Sequence, residues 1–174
     1  MKSGLLNLST RKQEKIKQAL LSEFSNVSLL EAKVANIVTL AEISRGSFYT
    51  YFEDIYDAYQ WLASIVFKNI HQSLEQTQDS LSAAENFILE AKDSPYYNFL
   101  CQYYTVNDAV MNSQKKPSSG YFDDLSQLKD DNEISDWLID QAIHRLIRSY
   151  FMYPERSADI IQSFQALKAW QKRS

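Results

Sequence analysis

Apolar residues recur at three- and four-residue spacing along almost the whole chain, with polar residues filling the positions between. Ile16, Ala19, Leu20 and Phe24, with Leu21 beside them, put an apolar stripe on a helix over residues 11–24. Ser9 or Thr10 can cap it through a hydroxyl, and Ser25-Asn26 ends it. Leu29, Leu30, Val34, Ile37 and Val38 predict a second short helix at about residues 30–38. Residues 39–43 then form a brief connection, and Ser44 caps a third helix that runs to about Tyr51. Three short helices, the last two divided by a tight turn, fit a helix-turn-helix unit.

Beyond that unit the helical period persists. A long fourth helix opens near Asp54 and carries Ile55, Tyr59, Leu62, Ile65, Ile70 and Leu74 to about residue 77. Leu81, Ala84, Phe87, Ile88 and Ala91 predict a fifth helix, stopped by Asp93-Ser94-Pro95, with Pro95 placed to start the next. Residues 95–112 are rich in aromatic side chains, and residues 112–120 are the most loop-like piece of the chain. A short helix follows over residues 121–128. Asp130-Asp131-Asn132 then caps a long helix through Ile134, Leu138, Ala142, Leu146 and Met152, which Pro154 breaks. Ala158, Ile161, Phe164, Leu167 and Trp170 belong to a last helix. The expectation is an all-α fold of roughly nine helices, with residues 1–9 a flexible tail, 10–53 the helix-turn-helix domain and 54–174 a larger helical domain.

Composition agrees with this pattern. Three Gly and three Pro in 174 residues leave little room for interrupted strands and tight turns. Cys101 is the one cysteine, so no internal disulfide can form, and a reducing compartment is expected. Leu5, Leu6 and Leu8 are broken by Asn7 and followed by a charged run, unlike a signal peptide, and no apolar run approaches membrane-spanning length. The chain is expected to be cytoplasmic, with no membrane partner.

Charge changes the picture more. The net charge of −4 argues against nucleic acid until it is divided along the chain. Residues 1–52 carry seven basic and four acidic side chains, a net of +3, and the remainder carries eleven basic and eighteen acidic, a net of −7. A basic module is thus joined to an acidic one, and the local field near residue 45 need not resemble that of the whole molecule.

The chemistry concentrates in Ser44-Arg45-Gly46-Ser47-Phe48-Tyr49-Thr50-Tyr51-Phe52. Arg45 can fork onto guanine O6 and N7 or clamp a phosphate, and Ser44, Ser47 and Thr50 are short hydroxyl donors for phosphates or base edges. Gly46 has no side chain to hold its backbone away from DNA or from a crossing helix. Phe48 and Phe52, four apart, are expected to pack inward together. Thr10, Arg11 and Lys12 at the start of the first helix, and Lys33 near the start of the second, are expected to meet phosphates, with a solvated charged face as the alternative for the lysines.

The run from Ala41 to Phe52, followed by Glu53-Asp54, resembles the recognition segment of the TetR family of bacterial transcriptional regulators, in which Ala-Gly-Val-Ser-Lys-Gly-Thr-Phe-Tyr-x-His-Phe is typical. Arg11, Ile16, Ala19 and Phe24 upstream, and the Val34, Ile37, Ala41 spacing, extend the likeness over residues 10–57. Glu42 stands where the family has a turn glycine, and Ala32 where it often has a capping Thr or Ser. Arg45 for Lys and Tyr51 for His keep donors in place. The resemblance implies that Tyr49 and Tyr51 face the DNA backbone and that a homodimer reads a palindromic operator in double-stranded DNA, as a repressor more readily than an activator. It also implies a second domain enclosing a small-molecule effector, for which Trp61, Tyr97, Asn98, Cys101 and Tyr104 offer an amphipathic lining. The dimer surface it implies comes from the last two long helices, through Leu138, Ile143, Ile147, Phe151, Phe164 and Leu167.

Catalysis and metal binding find no local support. His71 and His144 lie in different helices without ligand spacing, one cysteine makes no cluster, and no glycine-rich phosphate loop exists. No cofactor, metal or enzymatic activity is expected. Two rival classes stay open: a protein-interaction module with a vestigial DNA-binding head, which Glu42 and the weak cap at Ala32 favour, and a small helical enzyme.

Overall fold

The computed structural model describes residues 3–74, 79–114 and 130–173, and among them the fold is all α, with no strand. The order is α1 (Ser3–Leu6), α2 (Thr10–Asn26), α3 (Val34–Ala41), α4 (Arg45–Tyr51), α5 (Ile55–Leu74), α6 (Ser80–Glu90), α7 (Tyr97–Gln102), α8 (Asp108–Gln114), α9 (Asp131–Met152) and α10 (Ser157–Gln171). Single 3-10 turns cover Ala91–Asp93 and Pro154–Arg156, and a π-helical turn, Tyr103–Asn107, joins α7 to α8. The short helix expected over 121–128 lies outside the described residues, as do residues 115–120 of the expected loop, whereas residues 112–114 of that loop are the last residues of α8.

The chain divides into two compact units. The first comprises Met1–Gln72 and Ser94–Met111, and the second Ser73–Asp93 and Asn112–Ser174. This differs from a boundary at residue 54, because residues 94–111 return to pack on α2.

The first unit is built on the stripe of α2. Ile16, Leu20 and Phe24 are buried, together with Ile37 of α3, Phe48 and Phe52 at α4, and Tyr59, Leu62 and Val66 of α5. Phe24 meets the edge of the Tyr59 ring at 4.9 Å between centroids, and Tyr59 stacks on Phe99 of α7 at 5.5 Å. Each such side chain contributes roughly 1.5–3 kcal/mol by leaving water. Residues 1–9 are not a loose tail throughout: Leu5 is buried, and the Gln13 amide donates to the carbonyls of Leu5 and Leu8 at 3.2 and 3.0 Å. A Cβ on Gly4 would come within 3.0 Å of the Thr50 carbonyl, so the glycine is what lets α1 lie against α4.

The second unit packs α6, α9 and α10 together. Asp79 caps α6, its carboxylate accepting from the amides of Leu81 and Ser82 at 3.2 and 3.1 Å. Leu81, Ala84 and Ile88 face the buried stripe Ile139, Ile143, Ile147, Tyr150 and Phe151 of α9, with Ile160 and Phe164 of α10. Lys168 pairs with Glu85 across this core's edge.

The expected dimer residues must be revised here. Ile143, Ile147, Phe151 and Phe164 are core side chains of the second unit, satisfied within one chain, and Leu167 is half-buried. Of that set Leu138 alone is exposed, at 50%, with Ile134 one turn earlier exposed at 41%. An amphipathic stripe reports that a face is buried, not which chain buries it.

Candidate nucleic-acid interface

Local rules and one long-range contact set the helix-turn-helix. Helix α3 starts at Val34 rather than at residue 30, and its N-cap Lys33 offers no side-chain bond. The missing cap is supplied from α2: Glu23, 7% exposed, accepts from the Lys33 backbone N–H at 2.8 Å and from the Asn36 amide at 3.1 Å. The loop before α3 is ordered by Ser28, whose hydroxyl donates to Glu31 at 2.7 Å, and that bond holds the Glu31 carboxyl below its usual range. Farther away in sequence, the buried Asn107 Oδ1 accepts from the Leu29 amide at 2.8 Å.

The turn between α3 and α4 is a Schellman motif. The Ile43 N–H reaches the Val38 carbonyl at 3.0 Å and the Glu42 N–H the Thr39 carbonyl at 3.2 Å. That motif requires a left-handed residue, and Glu42 takes the conformation with φ 52° and ψ 47°. The family-like glycine turn is therefore kept in shape although its residue is Glu, a conformation that costs a side-chain-bearing residue strain that glycine escapes. The Glu42 carboxylate pairs with Lys15 of α2 at 2.5 Å, and that bond lowers its pKa.

Ser44 then caps α4 as expected, its Oγ accepting from the Ser47 N–H at 3.0 Å while the two hydroxyls meet at 2.8 Å. The Thr50 hydroxyl donates to the Gly46 carbonyl at 3.1 Å. Phe48 and Phe52 are wholly buried, with centroids 5.3 Å apart, and they anchor the helix from beneath. That leaves Arg45, Gly46, Tyr49 and Thr50 exposed on its outer face, with Ser47 and Tyr51 half-buried beside them. The Arg45 guanidinium lies 5.9 Å from the centre of the Tyr49 ring. A Cβ on Gly46 would touch Ser44 Oγ at 3.7 Å and nothing closer. No helix crossing requires glycine there, so the open approach to its backbone is available to an outside partner.

Beside α4 runs a groove of about 540 Å³, lined by Arg11, Lys12 and Lys15 of α2, by Glu42, and by Ser44, Ser47 and Tyr51. Thr10, Arg11, Lys12 and Lys33 are all exposed, so the structure keeps every expected cation of this region in water. The Lys33 N–H itself is taken by Glu23, which leaves the lysine's side chain, not its backbone, free to meet a phosphate. Lys15 was not singled out by sequence, although it sits one turn after Arg11 on the same helical face. Glu23 and Asn107 were missed as well, and no local pattern marks either.

The expected effector residues are less unified. Trp61 packs its ring on Phe52 at 5.6 Å, toward α4. Tyr103 instead meets Phe67 at 4.8 Å and Tyr104 at 5.0 Å, and Asn69 donates to the Tyr96 hydroxyl at 2.9 Å. Tyr97 is half-buried and Asn98 exposed. Cys101 is half-buried, and burial pushes its thiol up, away from thiolate reactivity. Among the described residues no group of three or more His, Cys, Asp and Glu could hold a metal ion, and no helix is long and apolar enough to cross a membrane.

Neither the family models nor the curated proteins contain a match to this chain. Among solved structures it is similar to a TetR family transcriptional regulator from Chloroflexus aurantiacus, with 19% identity, 97% of this chain and 92% of that chain covered, and a TM-score of 0.50. The likeness is one of fold, and it extends over both compact units.

Proposed function

We propose that this protein is a homodimeric, ligand-responsive transcriptional regulator, a repressor that lays α4 in the major groove of a palindromic operator. The observation that carries the reading is α4 itself. It is a seven-residue helix anchored by two buried phenylalanines, aimed by a Schellman turn, and presenting Arg45, Gly46, Tyr49 and Thr50 outward beside a groove lined by Arg11 and Lys12. Phosphate contacts from Thr10, Arg11, Lys12, Lys33, Tyr49 and Tyr51 set the register, while Arg45, Ser47 and Thr50 read base edges. Ser44 serves mainly as the cap that holds the helix.

So short a helix reads too few base pairs for useful specificity, which is the physical argument for two copies on a two-fold axis. The exposed pair Ile134 and Leu138 on α9 is the apolar surface such a dimer would cover first. The effector would bind along Tyr97, Asn98, Cys101 and Tyr104. Trp61, whose ring packs on Phe52, would border that site from the α4 side.

Selection of bound fragments from a random pool of duplex DNA tests the reading. A two-fold symmetric consensus is expected, with Arg45→Ala weakening its binding by about 1–3 kcal/mol per half-site while sedimentation still gives a dimer. No enrichment at low salt refutes DNA binding, and an asymmetric consensus refutes the dimeric mode.

A further inference from the structure

The groove beside α4 contains one arrangement that a phosphate-binding surface does not need. Among its lining residues Arg11, Lys12 and Lys15 are cationic and Glu42 is the acid. Glu42 sits at the left-handed position of the turn, where the motif works best with no side chain. Its carboxylate takes the Lys15 ammonium at 2.5 Å, although the two side chains are 76% and 43% exposed and gain little stability from pairing in water. The strained turn is thus occupied by an acid that adds little to the fold.

We infer that the Glu42 carboxylate is an internal competitor for a backbone phosphate, holding Lys15 out of the DNA contact and keeping the affinity of the head for duplex below what its cations allow. A carboxylate and a phosphate offer Lys15 the same kind of partner, a pair of anionic oxygens. In the free protein Glu42 fills that place. To contact DNA through Lys15 the ion pair must break, and a negative charge must then lie in the groove beside the phosphates. Arg11 and Lys12 face the same groove without an ion-pair partner among the described residues, so the tax falls on Lys15. Because this affects phosphate contacts, it lowers specific and non-specific binding alike and makes α4 depend more on its base contacts. The inference rests on the DNA-binding reading above.

The test uses the full chain and a fluorescently labelled mixed-sequence duplex, with anisotropy titrations over a range of NaCl. Glu42→Gln retains the side chain's size while removing its charge, Lys15→Gln removes the cation, and the double variant removes both. Glu42→Gln is expected to bind tighter than wild type at low salt, with a salt slope steeper by about 0.9 per head. Its advantage therefore shrinks by about 3.5-fold between about 50 and 200 mM salt. In the double variant the extra slope is lost. Equal slopes for wild type and Glu42→Gln overturn the inference, and so does a gain that survives in the double variant, since it would then come from net charge and not from Lys15. Circular dichroism of each variant separates these outcomes from misfolding. If wild type fails to bind the duplex at the lowest salt, the DNA-binding reading itself fails, a result distinct from binding with unchanged slopes.

Discussion

Replacing Glu23 by Ala tests how the helix-turn-helix is held together. The carboxylate is buried in the first unit, and its Oε1 accepts two N–H donors, the Lys33 backbone at 2.8 Å and the Asn36 amide at 3.1 Å. Hydrogen bonds to a charged acceptor are worth about 1.5–3 kcal/mol each when the donor has no other partner. Lys33 and Asn36 are exposed residues, so water recovers part of that loss, and Asn36 recovers most. A net cost of about 2 kcal/mol follows, of the same size as losing a strong helix cap. For a chain of this length that lowers the melting temperature by roughly 4–8 °C. Glu23→Gln keeps an acceptor at the same place and should lose less than half as much. Urea and thermal unfolding followed by circular dichroism give both numbers. Amide exchange locates the effect: α3, at eight residues too short to persist alone, should exchange faster while α6 does not. A cost below about 0.5 kcal/mol for Glu23→Ala, or a Gln variant as damaged as the Ala variant, refutes the capping role.

Other outcomes follow from single contacts. Ser44→Ala removes the acceptor of the Ser47 N–H and should cost about 1 kcal/mol, whereas Ser44→Asp restores the cap and keeps the melting temperature but, on the proposed DNA-binding reading, weakens DNA binding by adding a negative charge at the start of α4. Among the described residues the buried Tyr59 hydroxyl has no hydrogen-bond partner. Burial raises its pKa, and the neighbouring Asn107 amide opposes this without reaching bonding geometry. Tyr59→Phe should therefore be neutral or stabilising by up to about 1 kcal/mol in a urea titration, and a loss larger than that would show a partner exists. The Ser82 side-chain hydrogen bond, aided by the Ser82 and Leu81 amides, lowers the Asp79 pKa against the opposing effect of burial. A folded-state pKa below the unfolded value of about 3.9 stabilises α6 above that pH and loses its effect as pH falls through the folded value. Acid titration of the second unit by circular dichroism should show this loss below about pH 4, and Asp79→Asn should remove it.

The parts of the fold that could be read from sequence are those set by neighbours in the chain. The α4 cap at Ser44, the inward Phe48–Phe52 pair and the α9 cap at Asp130 all follow from residues within one turn of each other. The start of α3 moved by four residues because its cap comes from Glu23, ten positions before Lys33, and no local pattern carries that bond. Leu5 reads as part of a flexible tail because the helix packed near it, α4, against which Gly4 lets α1 lie, is about forty residues farther along the chain. In the second unit the stripe of α9 was correctly apolar, yet periodicity could not say that α6 of the same chain covers it. The outward face of α4 was legible for the same reason its core was: once the phenylalanines are placed, a helix leaves the residues between them nowhere else to point.

The π-helical turn at Tyr103–Asn107 can be viewed as a one-residue insertion into an otherwise ordinary helix. A π turn accommodates one residue more than an α turn, so everything after it is rotated by about 100° relative to an uninterrupted helix. Asn107 is the last residue of that turn, and its side chain accepts from the Leu29 amide at the loop that leads into α3. The irregular turn thus ends on a residue that ties the loop before α3 to a segment 78 positions away in sequence.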